Sequence, residues 1–386
     1  MPLDQYEALP RFDQIEGAPH PSQTQHLVGQ ERAEADLLDA FNSQRLHHGW
    51  LVTGPKGIGK ATLIWKFAKF LRATPAAGGE QGLFGDAPDL AISLDISPDH
   101  PVSRRILAQS EPGILGITRG YDEKRKKFRQ AISVDDVRTV KSFFSMSSSD
   151  GGKRVVIIDC AEDMNASAAN AVLKVLEEPP RETYLFLISH QPAQLLPTIR
   201  SRCRTIDLRP LNDTHFFEAL DAAGIGTESL GNEEKRHLIN LSNGSVGEAI
   251  RYINLNGLQY YEMILDILGS FPDLNTSKTS ALADSLSGAA KAREFDVFLS
   301  VLDKVLHRLA RHSLDMSELL SRATEKETAV FSALCKTPAA ARHWADAAQS
   351  VSDRTRHGQA VNLDPAALIL DTFLKLETCA KACAHI

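Results

Sequence analysis

The sequence predicts an α/β protein in which one domain built on a parallel sheet is followed by two all-helical domains. Three observations predict this. From about residue 26 to residue 210, short apolar runs alternate with helical patterns, the order that produces a parallel sheet with helices on its faces. The first of those runs, Trp50-Leu51-Val52, enters a glycine-rich turn that opens directly into a helix. After Pro210 strand signals vanish and only helical spacing remains.

Each element follows from local pattern. Residues 1–25 are polar and proline-bearing and are expected to form a loose arm rather than a signal peptide. Lys60 to Arg72 carries Leu63, Ile64, Phe67, Ala68 and Leu71 at helical spacing. Arg154 to Asp159 is apolar on both faces, as a central parallel strand must be. Met164 to Glu178 reads as a helix with Ala168, Val172, Leu173 and Leu176 inward, and Pro179-Pro180 ends it because proline cannot continue the hydrogen-bond ladder. Tyr184 to Ser189 is the next strand. Asn212 to Leu255 reads as three short helices with turns at Gly224–Gly226, Gly231 and Asn243-Gly244. From about Gln259 onward the pattern is helical, with a polar break near Pro272–Lys278. In it Phe298, Leu299, Val301, Leu302, Val305, Leu306 and Leu309 spread beyond one narrow face, which calls for a second layer or a partner. The expected boundaries are an arm at 1–25, an α/β domain at 26–210, a small helical lid at 211–258 and a larger helical domain at 259–386.

Composition narrows the function class. No apolar stretch approaches the ~18 residues a membrane span needs, so no membrane partner is expected. Five scattered cysteines, an odd number, argue against a disulfide framework and for a reducing cytoplasm. A net charge of −6 argues against a protein that grips nucleic acid mainly by itself. The one dense basic run, Lys124 to Arg129, reads as a solvated loop, although its cations could touch phosphates.

Gly54-Pro55-Lys56-Gly57-Ile58-Gly59-Lys60 fits seven positions of a phosphate loop between strand and helix. Gly54, Gly57 and Gly59 let backbone N–H groups turn towards phosphate, the helix N-terminus adds favourable partial charge, and Lys60 reaches the outer phosphates. The bland alternative is a glycine turn that binds nothing. The eighth position, where a hydroxyl helps hold Mg²⁺, is Ala61; Thr62 comes one residue late and points about 100° away, since a helix turns 3.6 residues per revolution. The facing strand ends Asp159-Cys160, which leaves Asp159 for the cation and a thiol where a carboxylate would orient water. Glu162 and Asp163 are expected to begin the following helix as dipole-compensating acids.

The combination Asp163-Met164-Asn165, the helix running into Leu-Glu-Glu-Pro-Pro, a strand, and then Ser201-Arg202-Cys203 resembles the DNA polymerase III clamp-loader family of AAA+ P-loop proteins, and most closely its delta-prime branch. The resemblance covers most of residues 20–255. It implies an AAA+ RecA-like sheet, a helical lid and a C-terminal helical collar. It implies that Arg202 acts in trans as an arginine finger in a neighbour's ATP site, where the alternative is that Arg200, Arg202 and Arg204 merely solvate a helix end. It puts Ser189-His190 at the sensor-1 position, where a small polar residue could equally just end a strand, and Gly247 where active subunits carry a nucleotide-contacting arginine.

The implied partners are tau/gamma and delta types of subunit in a hetero-oligomeric ring, the sliding clamp, and primer-template DNA indirectly. With Ala61, Cys160 and Gly247 all departing from the active pattern, the chain is expected not to hydrolyse ATP, and ATP or ADP is expected to bind its own pocket weakly or not at all. The four-cysteine zinc module of many relatives is missing, because residues 73–153 contain no cysteine, so neither zinc nor another metal is expected. Cys379, Cys383 and His385 could ligate a metal but equally suit a buried helix face. The competing functions are a stand-alone ATPase or kinase, favoured by intact Gly59-Lys60, and a dedicated nucleic-acid-binding protein, favoured by the Lys124–Arg129 run.

Overall fold

The computed structural model describes residues 10–24, 26–74, 90–145, 152–228, 230–313 and 323–384. The start of the expected arm and His385 therefore lie outside the described residues. The chain divides into two compact units: residues up to Ile225 together with Gly244–Gly247, and Gly226–Asn243 together with Glu248–Ile386.

The first unit is an α/β layer structure. Strands β1 (Gly49–Thr53), β2 (Ile114–Ile117), β5 (Arg154–Ile158), β6 (Thr183–Ile188) and β7 (Arg204–Asp207) form one sheet in the order β2-β5-β6-β1-β7, with every pairing parallel. Its central strands are buried on both faces, which is why they read as continuous apolar runs. Alternate side chains feed two separate cores. Trp50, Val52, Val155, Ile157, Phe186 and Ile188 pack with helices α1 (Glu31–Asn42) and α2 (Lys60–Ala73). Leu51, Val156, Ile158, Leu185 and Leu187 pack with α4 (Val134–Ser145) and α5 (Ala166–Glu177) on the opposite face. Helices α3 (Pro101–Leu107), α6 (Pro197–Arg200) and α7 (Asp213–Ala222) complete the unit.

Two expectations change here. The arm is not loose over residues 10–24. His20 is 3% exposed; its Nε2 meets Asp13 Oδ2 at 2.8 Å and its Nδ1 meets Ser22 Oγ at 2.8 Å. Arg11 donates to the same carboxylate, and the His20 ring packs edge-on to Trp65. The segment is polar, yet its polar groups satisfy one another, so burial costs it little. The Lys124–Arg129 run is likewise no plain loop, for it forms the turn of an antiparallel hairpin, β3 (Tyr121–Asp122) with β4 (Lys127–Phe128). Tyr121 packs on Phe128, which packs on Phe12, while residues 123–127 are exposed.

The second unit is helical: α8 (Asn232–Ser242), α9 (Val246–Asn254, whose first two residues belong to the α/β unit), α10 (Gly257–Leu268), α11 (Thr276–Ser285), α12 (Ala292–Arg311), α13 (Glu325–Leu334), α14 (Pro338–Ala360) and α15 (Pro365–Cys383). Its later helices start at side-chain caps: Thr324, Thr337 and Asp364 each accept from a backbone N–H of the first turn, and proline follows the last two. The apolar excess of α12 is absorbed within the unit. Phe298 contacts the rings of Tyr260 on α10 and Phe373 on α15, and Phe298, Val301, Leu302, Val305, Leu306 and Leu309 are all at most 1% exposed, with Leu299 half-buried. A second layer therefore buries the surplus. Arg308 and Glu327 form a two-bond ion pair at 2.7 and 2.9 Å in this core.

Candidate nucleotide site

The glycine-rich turn follows β1 and runs into α2 at the C-terminal edge of the sheet, the edge at which open α/β sheets bind ligands. Gly54, Gly57 and Gly59 take φ values of 133°, 76° and 98°. L-residues avoid that region, so glycine is the residue the loop requires. Gly59 is also the N-cap of α2 and supplies no side-chain cap, which leaves the first amides of the helix for a ligand or solvent.

Lys60 is 3% exposed. Its Nζ donates to the Gly54 carbonyl at 2.7 Å and to that of Pro55, so the loop's own carbonyls hold the ammonium. Burial lowers its pKa to about 8 against the pull of Asp159, Glu162 and Cys160, and Lys56 adds to the depression. Ala61 packs against the sheet core, so the position expected to carry a hydroxyl contributes apolar contact instead. Thr62 lies half-buried beside it.

Asp159 follows β5. Burial, then the nearby charge of Asp13, pushes its carboxyl up to about 6. The arm thus reaches the pocket electrostatically, which no local pattern announced. Cys160 takes a left-handed conformation, φ 58° and ψ 59°, and donates its N–H to Asp159 Oδ1 at 2.8 Å. Its Sγ lies 3.4 Å from His190 Nε2. Burial raises the thiol pKa far above its usual range, with Asp159, Glu162 and Asp163 adding to the rise. Burial and Lys60 lower His190 to about 4. A neutral thiol and a neutral imidazole therefore stand where a catalytic carboxylate is usual.

Glu162 and Asp163 do not open α5, which corrects the sequence expectation. They lie in a separate 3-10 turn (Ala161–Asp163), and α5 is capped by Asn165, whose side chain accepts from Ala168 N–H. Glu162 instead turns to the pocket. Its Oε1 accepts the His190 backbone N–H at 2.9 Å, and its Oε2 is buried without a partner. Asp163 pairs with Arg119 at 3.3 Å, whose guanidinium stacks on Phe12 at 3.8 Å. Glu162 and His190 were legible only jointly: both lie just past adjacent parallel strands, so the pairing of β5 with β6 brings residues 28 apart into contact.

Gly247, where the resemblance implies a sensor-2 arginine is replaced, is closed on the loop by backbone. Gly247 N–H donates to the Gly57 carbonyl at 2.9 Å, Ser245 Oγ donates to the Lys56 carbonyl at 2.7 Å, and a Cβ on Gly247 would meet Gly57 Cα at 2.8 Å. No side chain fits there without moving the loop.

Arg202 lies between α6 and β7 with its side chain 38% exposed. It is not free: Nη2 meets Glu177 Oε1 at 2.8 Å and Nη1 donates to the Thr198 carbonyl at 3.0 Å. Arg204, itself exposed, lies over the Trp50 ring at 5.2 Å. Among its neighbours in the triplet, Ser201 is exposed, and Cys203 is half-buried with its thiol pushed by burial up to about 12.

A wholly parallel sheet in this order, with a phosphate loop after β1, defines an AAA+ type of P-loop protein. Within that class residues 29–212 match the family described as DNA polymerase III, delta subunit. It is similar to DNA polymerase III subunit delta' of Pseudomonas aeruginosa, 41% identical over 157 residues, which are 40% of this chain and 41% of that one. It is also similar to subunit delta' of Escherichia coli K12, 27% identical over 60% of this chain and 62% of that one. Subunit gamma of Buchnera aphidicola from Acyrthosiphon pisum is 25% identical over 66% and 65% of the respective chains. The chain thus spans less than two thirds of the length of these curated relatives. Among the described residues no helix is long and apolar enough to cross a membrane.

Proposed function

We propose that this chain is a delta-prime-like subunit of a cytoplasmic clamp loader: a ring-closing, largely non-hydrolysing member that lends Arg202 to a neighbour's ATP site and so helps load the sliding clamp on primed DNA. The observation that carries the reading is the pairing of a disabled pocket with an outward arginine. Ala61 gives apolar contact where magnesium chemistry needs a hydroxyl, Cys160 is a neutral thiol, and Gly247 closes on Gly57, whereas Arg202 stands at the surface. ATP or ADP binds the pocket weakly or not at all on this reading, because Lys60 is already held by loop carbonyls. The partners are tau/gamma and delta types of subunit, the clamp, and DNA through the assembly. The exposed Val361, Leu363, Leu370 and Leu374 favour a collar role for the helical unit, since large apolar groups grouped in one stretch suit a protein contact.

The test is steady-state ATP turnover of the reconstituted complex with clamp and primed DNA. Arg202→Ala should lower it by up to ~10³-fold, the lower range for arginine fingers, and Arg202→Lys should rescue poorly because an ammonium lacks the planar fork. Lys60→Ala should matter much less. Equal turnover for Arg202→Ala and wild type would refute the finger. One observation favours a second reading, a stand-alone ATPase: the buried, unpaired Glu162 Oε2 faces the pocket as a displaced base could. Turnover by the isolated chain, abolished by Glu162→Gln, would establish that reading instead.

A further inference from the structure

Asp159, Cys160 and His190 converge at the C-terminal edge of the sheet in a way the non-hydrolysing reading does not use. Cys160 Sγ lies 3.4 Å from His190 Nε2 and 3.8 Å from Asp159 Oδ1, and one donor atom from each of the three residues lies within 4.8 Å of the others. Donors bound to one tetrahedral zinc at about 2.0–2.3 Å stand about 3.4–3.6 Å apart, so the sulfur is at coordination spacing from His190 Nε2 and a few tenths of an ångström beyond it from Asp159 Oδ1. A thiol hydrogen bond accounts for only part of this arrangement. One S–H proton cannot serve both His190 and Asp159, and beside the cluster Glu162 Oε2 is buried with no partner. Buried polar atoms without partners are uncommon and call for an unassigned ligand or charge.

The backbone builds the cluster. Cys160 leaves β5 in the left-handed conformation, and His190 follows the neighbouring β6, paired in register with it. Both side chains are thereby delivered from rigid strand ends rather than from a long loop. Asp159, Glu162 and Asp163 act on the thiol against Lys56, while the Lys60 ammonium is held by the Gly54 and Pro55 carbonyls.

We propose that Asp159, Cys160 and His190 form a binding site for one thiophilic divalent cation of the zinc class, with Glu162, tied to the His190 amide, as the nearest further carboxylate. Thiolate, imidazole and carboxylate together are a donor set that zinc accepts. On binding, the Cys160 S–H bond breaks, an S–metal bond forms, the proton leaves to solvent, and no electron changes hands. The site is separate from the four-cysteine module that this sequence lacks, and it stands or falls independently of the clamp-loader reading.

The test is titration of the full, metal-stripped chain with Co²⁺ as a spectroscopic probe, followed by competition with Zn²⁺. Wild type should develop a sulfur-to-cobalt charge-transfer band that saturates near one equivalent, and Zn²⁺ should erase it. Cys160→Ser should remove the band, and His190→Gln should weaken cobalt binding at least tenfold. Cys379→Ser with Cys383→Ser should leave the band intact. Absence of the band in wild type, or its survival in Cys160→Ser, overturns the proposal. Should Cys160→Ser unfold, His190→Gln decides, and unchanged cobalt affinity in that variant overturns the site.

Discussion

Gly57→Ala measures whether the phosphate loop is sealed by residues 245–247 in solution. Gly57 sits at φ 76°, and a Cβ there would meet Ser245 Oγ at 2.5 Å and Gly247 Cα at 2.9 Å. Two costs add. Holding alanine in the left-handed region costs about 1–2 kcal/mol, and forcing a methyl against backbone that cannot rotate away adds about 1–3 kcal/mol. Gly224→Ala is the internal control, because Gly224 has φ 79° with nothing within 4 Å of its Cβ position. It carries the first cost alone. Gly57→Ala should therefore exceed Gly224→Ala by about 1–3 kcal/mol, or roughly 2–10 °C in the transition of a unit this size. Trp50 and Trp65 report on the α/β unit by fluorescence, and hydrogen exchange over residues 50–70 separates its unfolding from that of the unit holding Trp344. Equal destabilisation by the two substitutions would show that the loop stands open and that the Gly57–Gly247 closure is wrong.

Three further outcomes follow from named contacts. Arg308→Met strands Glu327, 0% exposed, in the helical core, and should cost about 3–5 kcal/mol in that unit's denaturant transition. Burial opposes ionisation of Asp13, but its bonds to His20 and Arg11 outweigh that and hold the carboxyl at about 2. A lowered folded-state pKa stabilises above the unfolded value near 3.8 and is lost as pH falls through about 2. Asp13→Asn should thus cost about 2 kcal/mol at pH 7, with the deficit shrinking between pH 4 and 2 in acid-unfolding curves. Glu177→Ala removes the ion-pair partner that, on the proposed finger role, Arg202 would leave to reach a neighbour; turnover of the complex should stay level or rise, and a fall of the size given by Arg202→Ala would mean the pair itself is what the complex uses.

The sequence by itself determined the elements and the loop chemistry. Double-faced apolar runs gave β1, β5 and β6 within a residue of their ends, because burial on both faces leaves no polar positions to blur the pattern. Pro179-Pro180 and the positive-φ glycines marked their turns because their constraints are covalent and local. The identities of Ala61, Cys160 and Gly247 were readable for the same reason: a side chain that the sequence lacks is missing in any fold. What touches what was decided by tertiary structure alone. The placement of Glu162 in the pocket rather than at a helix start, the docking of residues 10–24, and the meeting of Cys160 with His190 all join segments distant in the chain. They are set by sheet pairing and by mutual satisfaction of buried polar groups, and neither leaves a periodic trace in a single sequence.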